Sequence, residues 1–301
     1  MDKTDVKTSK ARQVYQKMQQ KIVALYKYWQ LERPAGAAGF LTCYGQNVPS
    51  TMGVRRLRPA ALVIPGGGYG HVSPREGEPV ALRFLARGYC AFVLEYSVAP
   101  LRFPVQLREA AMAMAYIRQN AEDFEVDPAM VAAVGFSAGG HLCGTLGLLF
   151  DSQEVRDIAS AACLRPDALG LCYPVAVSWG PTHEGSFDNL CGADEALRQR
   201  LSLDRLVRPD MPPVYLWHTR DDGSVPCRNS LILAKAAEEM GIPVGLRLYL
   251  HGKHGLSTAD EQVYPVGQVP PHSPELPRWP EEMMSFFEEL GLKIKDLEQR
   301  L

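Results

Sequence analysis

Five side chains of this sequence have the types and order needed for nucleophilic chemistry: Ser137, the adjacent Asp221 and Asp222, and His251 and His254. Ser137 sits in Gly135-Phe136-Ser137-Ala138-Gly139, a G-x-S-x-G. The apolar run "MVAAVGF" (130–136) leads into it and a helical pattern follows. That context predicts a strained strand-to-helix turn, with the serine exposed at the edge of a sheet and flanking glycines giving it room. A serine so placed can attack an acyl carbon, and the helix N-terminus beyond it favours the negative charge that then develops. Backbone donors for that charge are offered by "PGGGYG" (65–70), where glycines let N–H groups face a cavity without a Cβ in the way. Gly67, Gly68 and the residue after the nucleophile, Ala138, are the candidate oxyanion donors.

A serine needs a base, and the base needs an orienting acid. "WHTRDDGSVP" (217–226) offers Asp221 or Asp222 after an apolar strand; the residues alone leave both open. "LYLHGKHGLS" (248–257) offers two histidines. Along the strand Arg247, Tyr249 and His251 alternate with Leu246, Leu248 and Leu250, so His251 belongs to its polar-facing set, whereas His254 lies past Gly252 in a loop that can swing over the sheet edge. A spacing of three across a strand-to-loop junction fits neither the alternate positions of a strand nor the i, i+4 of a helix, so a metal pair is disfavoured. His254 is the expected base. The resulting order, serine, acid, histidine, is that of α/β-hydrolases rather than of chymotrypsin or subtilisin.

Elements must position these groups. Short apolar runs at 60–65, 90–96, 130–136, 167–177, 212–218 and 244–250 read as strands buried on both faces, with helices expected at 74–87, 104–121, 138–150, 228–240 and 280–291. Ser73, Pro74 and Glu76 suggest an N-cap, first position and capping box for the first of these helices. The alternation predicts a mostly parallel sheet flanked by helices. Upstream, Val14, Met18, Ile22, Leu25 and Trp29 recur at spacings of four and three, which predicts an amphipathic helix packed on the body. The division expected is a helical extension over 1–55 and a catalytic domain over 56–301.

A net charge of −2, with 32 basic and 34 acidic residues, favours neither nucleic acid nor an anionic membrane. Seven scattered cysteines without a C-x-x-C fit reduced thiols, and the polar first 21 residues do not read as a signal peptide. The expected location is cytoplasmic.

The run "PGGGYGHVSPREGEPVALRFLARGY", with "FVLEYSVAP", "GFSAGGHL", "HEGSFDNLCG", "WHTRDDGSVP" and "KHGLS", resembles the bacterial α/β-hydrolases labelled acetyl esterase or xylan esterase, relatives of the hormone-sensitive-lipase and dienelactone-hydrolase-like groups. The resemblance covers 60–290. It implies an α/β-hydrolase fold with a small cap insertion, and it assigns the acid to the aspartate four residues before Pro226, which is Asp222. It departs at Pro74, where relatives often carry an acid, and at the N-terminal helix. The resemblance implies hydrolysis of small acyl esters, often acetyl groups on sugar hydroxyls, by Ser137, His254 and Asp222 without metal or organic cofactor. The implied partner is a small ester, such as an acetylated oligosaccharide; oligomeric state is left open. Tyr69, Trp179 and His183 are candidate pocket residues, the last two in the segment 178–202 where the cap is expected. The rival readings are a serine peptidase of the prolyl-oligopeptidase type and an inactive hydrolase fold used as a binding module.

Overall fold

The computed structural model describes residues 19–46, 55–180 and 182–297. Strands β1 (Gln19–Ala24), β2 (Phe40–Gly45), β3 (Arg55–Ile64), β4 (Cys90–Glu95), β5 (Val126–Phe136), β6 (Ala168–Cys172), β7 (Val214–Thr219) and β8 (Val244–Tyr249) form one sheet in the order β1-β2-β4-β3-β5-β6-β7-β8. β1 and β2 run antiparallel to their neighbours, and every step from β4 through β3 to β8 is parallel. A short β9 (Lys295–Leu297) pairs antiparallel with the start of β3. This is the α/β-hydrolase fold: a mixed, mostly parallel sheet flanked by helices.

The central strands carry apolar side chains on both faces because helices cover both. On one side α3 (Val105–Gln119) and α4 (Ala138–Leu149) bury Leu107, Met114, Leu142 and Leu146 with Leu62, Phe92 and Leu169. On the other side α2 (Glu78–Ala86) and α10 (Trp279–Glu289) bury Phe84, Trp279, Met283 and Phe287 with Val63, Val134 and Trp217. Each buried side chain of that size contributes about 1.5–3 kcal/mol relative to exposure, so the sheet is a rigid platform for loops at its carboxyl edge. Among the described residues no helix is long and apolar enough to cross a membrane.

Four expectations need correction. Residues 19–24 are strand β1, not helix; only Leu25–Tyr28 (α1) is helical, and 14–18 lie outside the described residues. Instead of an appended helix, β1 and β2 extend the main sheet, with Leu41 and Cys43 buried in alternation. The capping box does not form either. Pro74–Glu76 is a 3₁₀ turn, the helix begins at Glu78, and Glu76 is buried with both oxygens engaged elsewhere. The strand read over 167–177 ends at Cys172, because Tyr173 turns the chain at φ 38°. Finally, the leucines of β8 are not its core face: Leu246 and Leu248 are exposed, as is Arg247, while Tyr249 is buried against Trp217.

After α5 (Ala161–Leu164), the segment between β6 and β7 forms three short helices, α6 (Glu184–Cys191), α7 (Glu195–Arg200) and α8 (Leu203–Leu206), above the carboxyl edge of the sheet, and α9 (Arg228–Glu239) joins β7 to β8.

Candidate active site

β5 ends at Phe136 and α4 begins at Ala138, so Ser137 alone makes the turn. It does so at φ 52°, ψ −119°, a conformation that costs a non-glycine residue roughly 1–3 kcal/mol and persists only where the surroundings enforce it. Here they do. The Ser137 N–H donates to Cys172 O at 3.0 Å, and Ser137 O accepts from Val175 and His141. The turn also needs its second glycine: a Cβ on Gly139 would come within 2.2 Å of Ile64 O and Pro65 O. The helix therefore starts hard against the end of β3, with the serine above it.

The two remaining groups come from the ends of two other strands, β7 and β8. Asp222 follows β7. It is buried; its Oδ1 accepts the N–H groups of Ser224 and Val225, each at 2.9 Å, and its Oδ2 meets His254 Nδ1 at 2.6 Å. His254 Nε2 in turn stands 2.8 Å from Ser137 Oγ. Burial works against the charge on Asp222, but hydrogen bonds from His218 and His254 and the Val225 N–H outweigh it and hold the carboxyl well below the ordinary range. An ionised acid on Nδ1 selects the tautomer in which Nε2 can accept the serine proton. His251 takes no part: its Nδ1 pairs with Asp221 Oδ2 at 2.7 Å, and both side chains are more than half exposed.

Sequence reasoning passed over His218. It is wholly buried, with Nε2 donating to Val225 O at 2.8 Å and lying 3.3 Å from Asp222 Oδ2, and Nδ1 on Ser230 Oγ. It stands beside the same carboxylate oxygen that meets His254. Its place four residues before Asp222 was the available signal.

The glycine loop is held by its carbonyls. Gly66 O accepts from Ser73, Gly67 O from Gly70 and His71, and Gly68 O from Asn189 Nδ2. Gly67 adopts φ 126°, and a Cβ there would fall 2.1 Å from His71 O, so no other residue fits. The Gly66 N–H is taken by Glu76 Oε2 at 2.8 Å. Among the described residues the Gly67 and Gly68 N–H groups have no acceptor, and both residues line a cleft of about 260 Å³ with Ser137, His183 and His254. Ala138 is buried in the first turn of α4, where N–H groups lack helical acceptors.

Of the pocket candidates, His183 lines the cleft together with Gly68. Its Nδ1 accepts the Ser186 N–H, and burial together with the nearby His254 pushes its pKa down, so it presents a neutral Nε2–H. Trp179 is exposed and bonded to Asp204, not among the residues lining the cleft. Tyr69 must be corrected: its ring is buried beneath the loop and its hydroxyl donates to His141 Nδ1 at 2.8 Å, so it cannot touch an acyl group in the cleft. His141 Nε2–H reaches Leu201 O at 2.8 Å, tying the glycine loop to the cap segment. Among the described residues no group of three or more His, Cys, Asp or Glu side chains is disposed to hold a metal ion.

Comparison with known proteins gives the chain a family. The family model described as BD-FAE matches residues 50–165. The chain is 37% identical over 219 residues to endo-1,4-beta-xylanase B of Butyrivibrio fibrisolvens, covering 69% of this chain and 34% of that protein. It is 28% identical over 204 residues to an acetylxylan esterase of Xylanibacter ruminicola, covering 65% and 40% respectively. It thus spans about a third to two-fifths of the length of these curated relatives. Among solved structures, an acetyl ester-xyloside bifunctional hydrolase from Caldicellulosiruptor lactoaceticus superposes with a TM-score of 0.76 at 33% identity, covering 91% of this chain and 97% of that one. An α/β hydrolase from a Medee basin deep-sea metagenome gives 0.71 at 30% identity, covering 92% and 99%. The class is that of the carboxylic ester hydrolases. The chain belongs to the α/β-hydrolase esterase family.

Proposed function

We propose that this chain is a serine carboxylesterase that removes short acyl groups, acetyl above all, from esterified saccharides. The observation that carries the reading is the unbroken line Asp222 Oδ2–His254 Nδ1, His254 Nε2–Ser137 Oγ, at 2.6 and 2.8 Å, opening on a cleft beside two glycine N–H groups that have no acceptor among the described residues. In the reaction, Ser137 Oγ attacks the ester carbonyl while His254 Nε2 takes its proton. The carbonyl oxygen becomes an oxyanion and receives the N–H groups of Gly67, Gly68 and Ala138. His254 then gives its proton to the departing alcohol, leaving an acyl-serine. Water, deprotonated by the same nitrogen, attacks the acyl-serine; collapse of the second oxyanion releases the acid and returns the proton to Ser137.

Two features support a small acyl group on a sugar. The cleft, about 260 Å³, lies below the roughly 300–1,000 Å³ common for drug-sized ligands. Two relatives carry acetylxylan or acetyl ester-xyloside in their names. The test is a panel of p-nitrophenyl esters from acetyl to octanoyl, alongside acetylated xylo- and manno-oligosaccharides. Acetyl esters should give the highest kcat/KM and free acetate should appear from the oligosaccharides. Faster turnover of octanoyl than acetyl esters contradicts the acyl preference, and no turnover of any ester points to a binding module.

A further inference from the structure

Glu76 is a buried carboxylate that the three-residue mechanism does not use. It lies on the 3₁₀ turn after the glycine loop, 4% exposed. Its Oε2 accepts the Gly66 N–H at 2.8 Å and its Oε1 accepts the Tyr173 hydroxyl at 2.6 Å. Burial raises the Tyr173 pKa far above that of an ordinary phenol, so its oxygen keeps the proton it donates. The same oxygen accepts the Ser257 N–H at 3.0 Å, three residues past His254, and the Tyr173 ring packs edge-on against the His254 imidazole at 5.1 Å. Ser257 Oγ closes the circuit by donating to Arg75 O at 2.5 Å. One carboxylate thus spans the oxyanion loop and the histidine loop.

Gly66 has no room to shift. A Cβ there would lie 2.7 Å from Phe136 O, 2.9 Å from Glu76 Oε2 and 3.0 Å from Ser137 Cβ, so this peptide is wedged between the carboxylate and the nucleophile. A buried carboxylate is costly, and beside a site where negative charge develops it is unfavourable by Coulomb's law as well. Its retention calls for a geometric return that an apolar filler would not give. We propose that Glu76, with Tyr173 as its relay, is a positioning residue for ester hydrolysis: it fixes the Gly66 peptide so that the next two N–H groups meet the oxyanion, and registers the His254 loop against them. The proposal rests on Ser137 carrying the hydrolysis.

The decisive variant is Glu76→Gln, which keeps the volume but leaves one oxygen to serve two donors. Kinetics with p-nitrophenyl acetate are measured per active site titrated with a fluorophosphonate, together with inhibition by a trifluoromethyl ketone that mimics the tetrahedral adduct. The expected result is a kcat about 10²-fold lower, the scale of losing one oxyanion donor. KM should stay within about threefold and ketone affinity should weaken in step with kcat. A kcat per titrated site within threefold of wild type, or an unchanged ketone affinity, overturns the proposal, since a merely structural role lowers only the unfolding temperature and the number of active sites. If Glu76→Gln does not fold, Tyr173→Phe decides. It removes a single hydroxyl and should lower kcat roughly tenfold at unchanged KM; wild-type kcat there overturns the relay. Ser137→Ala run alongside keeps the cases apart, because turnover surviving in it defeats the underlying esterase reading instead.

Discussion

Two histidine–aspartate pairs stand side by side in this protein, His254 with Asp222 and His251 with Asp221. Their contacts are nearly equal, 2.6 and 2.7 Å, and their residues are one and three positions apart in sequence. They differ in what surrounds them. Asp222 is buried, holds two backbone N–H groups and is backed by His218, while its histidine reaches a serine. Asp221 and His251 lie in solvent, where an ion pair gains little and water screens it. Chemistry follows from the burial of the acid and from the third partner, not from the pair.

Substitutions that break the buried pair should have the largest effects. Ser137→Ala and His254→Ala should each lower kcat by four or more orders of magnitude, leaving a residual rate of roughly 10³-fold over water from the oxyanion donors and binding. Asp222→Asn should cost about 10⁴ in kcat by admitting the wrong tautomer of His254. The matched changes in the exposed pair, Asp221→Asn and His251→Ala, should leave kcat within about threefold and the stability within about 0.5 kcal/mol. Steady-state kinetics on the five variants checks all of this, and equal losses from Asp221→Asn and Asp222→Asn would erase the distinction.

A subtler effect belongs to His141, away from both pairs. His141 is buried between Tyr69 and Leu201, and burial lowers its pKa to about 4. The unfolded chain, with a histidine near the ordinary value of about 6.5, binds the proton that the folded chain refuses. Stability from this group is therefore complete above about pH 6.5 and is lost as pH falls toward 4. Between pH 7 and pH 4.5 the loss should be about 2 kcal/mol, measured as the difference between wild type and His141→Gln in urea unfolding at the two pH values.

Much of the site was legible because it is local in sequence. The elbow at 135–139, the glycine loop and the histidine loop each follow an apolar strand whose period and length are unambiguous, and their order along the chain limits the chemistry. What escaped was long-range. Ile22, Leu25 and Trp29 keep helical spacing, yet pairing with β2 makes 19–24 a strand, leaving Ile22 exposed and Val23 buried. On β8 the leucines looked like the core face, but the strand ends the sheet and they meet solvent, while α10 covers the face of Tyr249. Tyr69 looked like a pocket wall because it adjoins the oxyanion glycines; its φ of 57° turns the ring inward onto His141. Ser73 and Glu76 matched a capping box residue for residue, and the three-dimensional partners Gly66 and Tyr173 claimed the carboxylate instead. Local pattern read positions correctly and partners poorly.

The most direct test of the central claim is the rate and site of fluorophosphonate labelling, read by peptide mass spectrometry, in wild type, His251→Ala and His254→Ala. The expected result is one adduct, on Ser137, forming at the wild-type rate in His251→Ala and at least about 10³-fold more slowly in His254→Ala. An adduct on another residue, or equal slowing by the two histidine substitutions, would contradict it.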